Sequence, residues 1–309
     1  MTAASAVPPV SFREFHDDFA GFAQGLGAAF ERYGFATVTD HGLPPARIEA
    51  AQAAARAFFD LPDAVKRRYV VGAGGQRGYT PFGLETAKGA TAHDLKEFWH
   101  VGREPPPPRG LGGENVWPAE VAGFRDELGW LYSALDALGR QLLQAITAHL
   151  GLPRGYFDDK VDHGDSILRL LRYPPADFDG PHIRAGAHED INVITLLLGA
   201  EEAGLEIKDR DGRWLPVAPP PGALVCNIGD MLQRLTNHRL PSTSHRVVNP
   251  APERRGVARY STPFFLHFNP DFEIRTLPSC VDARRPDLYP EPITAAGFLM
   301  ERLREIKLL

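Results

Sequence analysis

Cysteine is nearly absent. Cys226 and Cys280 are the only two in 309 residues, so no disulfide framework carries this chain. There is no block of lysine or arginine either, and the net charge of −5 is spread along the sequence, which speaks against nucleic acid or an anionic membrane surface as the main partner. No apolar run approaches the roughly 20 residues needed to cross a bilayer. The opening "MTAASAVPPV" lacks the basic and apolar regions of a cleavable leader, and the expectation is a cytoplasmic protein. Also missing are a G-x-G-x-x-G turn, a Walker-type phosphate loop, an H-E-x-x-H helix and any internal repeat. A small-molecule ligand is what these exclusions leave.

What is present is apolar material for a sizeable core, with 43% hydrophobic and 24% charged residues. Residues 1–110 read as a mostly helical N-terminal region. Phe15, Phe19, Phe22, Leu26 and Phe30 recur at helical spacing, the strand of "YGFATVTDHGL" follows, and further helices are expected over 45–59 and just after Asp60. The Gly- and Thr-rich stretch 72–92 and the proline run 103–113 read as loops. A long helix is expected over 118–150, marked by Phe124, Leu128, Leu131, Leu135, Leu138, Leu142 and Ile146. From 165 to 270 the texture changes to short β-type runs separated by turn residues, the pattern of a jelly roll or barrel rather than a parallel sheet. A last helix is expected over 294–308. The whole chain, 1–309, thus reads as a single unit, mainly β with flanking helices.

The stretch "GAHEDINVITLLL" begins a buried-looking strand with charged residues. In extended chain, residues i and i+2 point to one side, so His188 and Asp190 present an imidazole and a carboxylate together while Glu189 faces away. His245, 57 residues downstream in "STSHRVVN", offers a third ligand. Two histidines and one carboxylate on one face of an octahedron leave three positions open, the arrangement of non-haem Fe(II) oxygenases. In "RYSTPFF", Arg259 and Ser261 share a strand face. A guanidinium fork beside a hydroxyl suits a carboxylate, and a charged arginine in so apolar a strand needs an anionic partner.

Seven further histidines (His41, His93, His100, His149, His163, His182 and His238) fall mostly in turns or at helix ends and are given surface or hydrogen-bonding roles. His267 shares the face of Arg259 and Ser261 and borders the pocket. Cys226 reads as a packing residue. Asp230, in "NIGDMLQRLTN", reads as a helix cap or a satisfied buried carboxylate.

On these residues the chain resembles the isopenicillin N synthase-like, 2-oxoglutarate- and Fe(II)-dependent oxygenases. The likeness covers nearly the whole chain, through "YGFATVTDHGL", "ARAFFDLP", "GYTPFGLETAKG", "DLKEFWHVG", "GRWLPVAPPPGALVCNIGDMLQRLTNHRLPSTSHRVVNP" and "RYSTPFF". It implies a double-stranded β-helix (jelly-roll) core packed by N-terminal and central helices. It further implies Fe(II) bound by His188, Asp190 and His245, and the distal carboxylate of 2-oxoglutarate held by Arg259 and Ser261. The reaction implied uses O2 and turns 2-oxoglutarate into succinate and CO2 while oxidising, most often hydroxylating, a small molecule. Tyr173 matches a tyrosine that relatives place near the co-substrate. Leu171 stands where many plant relatives have asparagine, so that polar contact is missing. Arg169 matches an arginine near the ligands in the ethylene-forming branch and is a further candidate carboxylate contact. Alternatives within the class are an oxidase like isopenicillin N synthase, which uses no 2-oxoglutarate, and an ethylene- or succinate-forming enzyme. Outside it stand a non-catalytic binding protein, against which the intact triad speaks, and a zinc hydrolase, which leaves Arg259 unexplained. Neither the primary substrate nor the oligomeric state follows from the sequence.

Overall fold

The computed structural model describes residues 5–71, 77–83, 96–108, 110, 112–175, 184–199, 204–249 and 256–305. Strand β1 (Pro9–Ser11) leads through a single helical turn, α1 (Glu14–Asp17), into α2 (Phe19–Tyr33). Asp18 caps α2 by accepting the Gly21 N–H at 3.0 Å, which satisfies one of the donors a helix leaves open at its start. Strand β2 (Phe35–Thr39) follows, then α3 (Pro45–Phe59), with proline in its first turn, and α4 (Asp63–Lys66).

Strands β3 (Gly78–Thr80) and β4 (Glu97–Gly102) come where the sequence reading has no strand. Every residue of β4 is buried, so no polar-apolar alternation marks it. Helix α5 (Phe124–His149) is the long helix of the molecule. It starts later than residue 118 because Gly123 precedes it in the left-handed region, at φ +74°. Its stripe from Phe124 to Ile146 is buried against the large sheet, and each such side chain contributes about 1.5–3 kcal/mol by leaving water.

The remaining elements are β5 (Ile167–Tyr173), β6 (Ala185–His188), β7 (Ile194–Leu198), β8 (Leu205–Lys208), β9 (Trp214–Pro216), β10 (Leu224–Ile228), α6 (Asp230–Leu235), β11 (His245–Val247), β12 (Arg259–Leu266), β13 (Glu273–Ile274), β14 (Ile293–Thr294) and α7 (Ala295–Glu305). Residues 306–308 of the expected last helix lie outside the described residues, as do most of 72–92, His93 and His182.

An eight-stranded sheet runs β1-β2-β10-β7-β12-β5-β4-β3, and a four-stranded sheet runs β6-β11-β8-β9. From β5 to β12 the chain passes back and forth between them, winding a double-stranded β-helix whose pairs are antiparallel. Strand alternation sends Ile194, Leu196, Leu198, Phe264 and Leu266 outward to the helices. Between the sheets, Phe35, Leu205, Ile207, Val217 and Val225 form a separate apolar plug. The N-terminal region is tied to the barrel by Glu97, which is fully buried and accepts from Lys66 Nζ at 2.8 Å, Tyr79 Oη at 2.5 Å and Arg172 Nη1 at 3.2 Å.

Candidate active site

The charged opening of "GAHEDINVITLLL" is not the start of one strand. His188 ends β6 in the small sheet, β7 begins at Ile194 in the large sheet, and Asp190 lies in the connection between them. His245, the first residue of β11, is the direct cross-strand partner of His188, and the two rings lie 4.4 Å apart. Asp190 Oδ1 stands 3.9 Å from the Nε2 of each histidine, and the three ligating atoms fall within 4.8 Å of one another.

Each part of this cluster is oriented by a hydrogen bond behind it. His188 Nδ1 lies 2.7 Å from the Gly186 carbonyl oxygen and His245 Nδ1 lies 3.1 Å from that of Thr243. A carbonyl only accepts, so each ring carries its proton on Nδ1 and turns the Nε2 lone pair inward, the tautomer a metal ligand requires. Asp190 Oδ2 accepts from Thr195 Oγ1 at 2.6 Å and from Asn227 Nδ2 at 2.8 Å, leaving Oδ1 toward the histidines. The backbone of the connection is clamped by the start of α6: Asp230 N–H donates to the Asp190 carbonyl at 2.7 Å and Met231 N–H to that of Asn192 at 3.2 Å.

Desolvation, reinforced by the charge of His245, lowers the His188 pKa to about 4, although the ring is still 42% exposed at the mouth of the site. Crowding of the surroundings and opening of one ring edge to the cleft are compatible, and the imidazole is neutral at pH 7. Burial pushes the Asp190 pKa up, but the electrostatic influence of His245 and His188 and the bonds from Asn227 and Thr195 outweigh burial and leave it below the usual value. Neutral imidazoles and an ionised carboxylate are the protonation states that bind a divalent cation.

Arg259 and Ser261 lie on the inner face of β12, opposite Tyr173 and Leu171 of β5. The Arg259 side chain is 1% exposed, and its Nε and Nη1 are buried with no hydrogen-bond partner among the described residues. Its Cζ lies 5.3 Å from the centre of the Tyr173 ring, and Tyr173 packs with Leu171 and Phe98. Arg169 occupies the same face of β5 further along. Its Nε donates to His100 Nε2 at 2.6 Å, with the guanidinium 4.4 Å from the Phe98 ring and 5.4 Å from that of Phe265.

His100 is therefore not a turn residue: it lies buried within β4, cross-strand from Arg169. Asn227 and Thr195, which orient Asp190, also escape the sequence reading. The signal for all three is a polar residue inside a buried strand, in step with the inward-facing positions. His267 is buried just beyond β12, and its Nδ1 has no hydrogen-bond partner among the described residues. Asp230 does not cap α6 and is not fully satisfied. Its Oδ2 faces Arg302 Nη2 of α7 at 3.5 Å, Oδ1 is buried without a hydrogen-bond partner among the described residues, and burial raises its pKa to about 6. Cys226 is buried, and burial alone pushes its thiol pKa well up, so it is a packing residue.

A jelly roll with a two-histidine, one-carboxylate cluster at its mouth and a buried arginine held ready within defines the non-haem oxygenase class. The comparisons agree. The 2OG-Fe(II) oxygenase superfamily matches residues 164–268, and the N-terminal family described as non-haem dioxygenase in morphine synthesis matches residues 7–120. The chain is 34% identical to the 2-oxoglutarate-Fe(II) type oxidoreductase hxnY of Emericella nidulans over 96% of this chain and 89% of that one. A solved structure of a 2OG-Fe(II) oxygenase family protein from Caulobacter crescentus superposes with a TM-score of 0.92 at 59% identity, covering 98% of this chain and 100% of the other. A full-length Neurospora crassa protein solved in complex with alpha-KG, that is 2-oxoglutarate, superposes with a TM-score of 0.88 at 29% identity, covering 98% and 97% of the two chains. The chain belongs to the isopenicillin N synthase-like family of 2-oxoglutarate- and Fe(II)-dependent oxygenases. It is an oxidoreductase that uses Fe(II), 2-oxoglutarate and O2.

Proposed function

We propose that His188 Nε2, Asp190 Oδ1 and His245 Nε2 bind the Fe(II), and that Arg259 with Ser261 grips the distal carboxylate of 2-oxoglutarate beneath Tyr173. The observation that carries this reading is the Arg259 fork, buried at 1% exposure with two N–H groups unanswered among the described residues. A desolvated guanidinium without a partner costs several kcal/mol, and a carboxylate that accepts from both groups removes that cost. The donor set of the triad, two imidazoles and a carboxylate, equally suits a divalent iron.

Bound Fe(II) and 2-oxoglutarate supply the oxidative decarboxylation, to succinate and CO2, that drives oxidation of a C–H bond in a small-molecule substrate, with hydroxylation as the expected outcome. The protein's own residues do the positioning. The carbonyls of Gly186 and Thr243 keep the imidazoles from turning, and Thr195 and Asn227 keep the Asp190 carboxylate presenting Oδ1. Phe98, Leu171 and Tyr173 exclude water beside Arg259, which strengthens the grip on an anion. The N-terminal region and the barrel act as one catalytic unit, a reading supported by the way β3 and β4 extend the large sheet. A cytoplasmic setting is favoured by two free, buried thiols. Among the described residues, no helix is long and apolar enough to cross a membrane.

The test is anaerobic. Protein loaded with Fe(II) and then 2-oxoglutarate is expected to develop the weak visible charge-transfer band of the chelate, and admission of O2 to yield succinate. In Arg259→Ala, loss of one partner of a buried charge pair, worth about 2–5 kcal/mol, is expected to raise the 2-oxoglutarate Kd at least about 30-fold while Fe(II) still binds. An unchanged Kd in that variant would refute the assignment. Iron binding without the band in the unaltered protein would instead support the oxidase reading.

A further inference from the structure

Resting on the metal assignment above, we infer that Arg302 is a positioning residue for the iron centre. Paired with Asp230, it ties the C-terminal helix α7 to the helix that holds both ligand-bearing segments, and so raises Fe(II) affinity without touching the ion.

The sequence of α7 already sets Arg302 apart. Ala295, Phe298, Leu299, Arg302 and Leu303 fall at positions i, i+3, i+4, i+7 and i+8, the stripe with which an amphipathic helix meets its core. Ala295, Phe298 and Leu303 are buried, and Leu299 packs against the main core. An arginine stands in this stripe where an apolar side chain would serve burial better, and its Nε is buried with no hydrogen-bond partner among the described residues. Its Nη2 lies 3.5 Å from Asp230 Oδ2 on α6, while Nη1 holds Glu305 at 2.8 Å. Asp230 is itself buried, with Oδ1 unanswered among the described residues. Such a pair stabilises poorly against an apolar contact of the same size, and what it offers instead is a fixed orientation.

What it orients is α6, which reaches both arms of the metal site. The N–H groups of Gly229, Asp230 and Met231 donate to the carbonyls of Val193, Asp190 and Asn192 at 2.9, 2.7 and 3.2 Å, so the start of the helix carries the connection that bears Asp190. Gln233 Oε1 accepts the Ser242 N–H at 2.8 Å, three residues before His245. The far end of α6 is held independently, by Leu277 N–H on the Leu235 carbonyl at 2.9 Å and Arg234 Nη2 on that of Glu291 at 2.8 Å. The Arg302 pair therefore acts at the end nearest the metal. Helix α7 is a firm anchor for it, since the Ala295 and Ala296 N–H groups donate to the carbonyls of Phe272 and Pro270 at 2.8 and 3.0 Å.

The experiment measures Fe(II) affinity by anaerobic competition with a chromogenic chelator, with the Tm of each apoprotein alongside. Arg302→Met keeps the stem and removes the charge. It is expected to lower Fe(II) affinity about 3- to 10-fold, less than loss of a group bonded directly to a ligand side chain. Arg302→Lys should recover affinity to within about twofold, because a single contact needs the charge and not the fork. Asp230→Asn should match the loss in Arg302→Met, and the two together should lose no more than either alone, since both break one pair. Arg304→Met, the same change of charge at an exposed position of α7, should leave affinity unchanged. A lowered Tm with full Fe(II) affinity in Arg302→Met is what a purely structural contact would give, and it would overturn the inference. Losses that add in the double variant, or an equal loss in Arg304→Met, would do the same. Unchanged Fe(II) affinity in His245→Ala would instead remove the metal assignment and the inference with it, a failure told apart because it appears at a ligand.

Discussion

At the scale of single residues, the metal cluster depends on groups that never touch the ion. Thr195 gives its one hydroxyl hydrogen to Asp190 Oδ2 at 2.6 Å and is itself approached by Asn192 Nδ2 at 3.1 Å. Thr195→Val keeps the shape of the side chain and removes that donor. The expected result is Fe(II) affinity lower by about 10- to 100-fold, the usual cost of losing an outer-shell partner, read by competition with a chromogenic chelator. Unchanged affinity would show that Asn227 alone orients the carboxylate. His188, Asp190 and His245 were legible because their side chains are chemically out of place beside apolar β-type runs. Thr195 and Asn227 were not, since a threonine or asparagine in a strand acquires its meaning only from which carboxylate faces it.

At the scale of elements, the site depends on a corner. The connection 189–193 carries Asp190 from the small sheet to the large one, and the first amides of α6 hold it in place. Gly229 lies at that contact: a Cβ there would meet the Asn192 carbonyl oxygen at 2.1 Å and its carbon at 2.7 Å, both backbone atoms that cannot swing aside. Gly229→Ala is therefore expected to cost about 1–3 kcal/mol in overpacking. Because the strain falls on the Asp190 connection, Fe(II) affinity should fall together with Tm. A lowered Tm with full iron affinity would show that the strain relaxes into α6 instead. One strand is expected through this corner because alternation with period two looks the same on either side of it, whereas β6 ends at His188 and β7 begins at Ile194. The β3–β4 pair went unread for the related reason that a fully buried strand has no polar face to alternate with.

For the whole molecule, the buried titratable groups set the pH response of the iron-free protein. His188 and His267 are both lowered from 6.5 to about 4, in each case chiefly by burial. The unfolded chain protonates these imidazoles more readily, so the stability they contribute is complete above about pH 6.5 and is lost as the pH falls toward 4. Asp230 has the opposite sign. Raised by burial from 3.8 to about 6, its contribution is complete below 3.8 and is lost as the pH rises through 6. Two groups against one predict a net loss of stability on acidification from pH 6.5 to 4, and Fe(II), which binds only deprotonated ligands, should steepen it. Urea midpoints of apo and iron-loaded protein across that range check this, and an apo midpoint that rises on acidification would mean Asp230 dominates.

Some of this protein was determined by sequence alone. Period-two runs in the second half and the 3.6-residue stripe of α5 follow from local sterics and hydrophobic burial, so the jelly roll and its long covering helix are written in the order of residue types. So is the donor chemistry, because a His-x-Asp, a distant His and an Arg-x-Ser keep their identities however the chain folds. Tertiary structure alone decided that His188 and His245 face each other across two strands, that Asp190 sits at a corner between sheets, and that His100 lies beside Arg169. The first and the last are matters of register between strands far apart in the chain, 57 residues for the histidine pair and 69 for Arg169 and His100. Such contacts are selected by how whole faces pack, and a one-residue slip would turn every one of these side chains to the other side of the sheet.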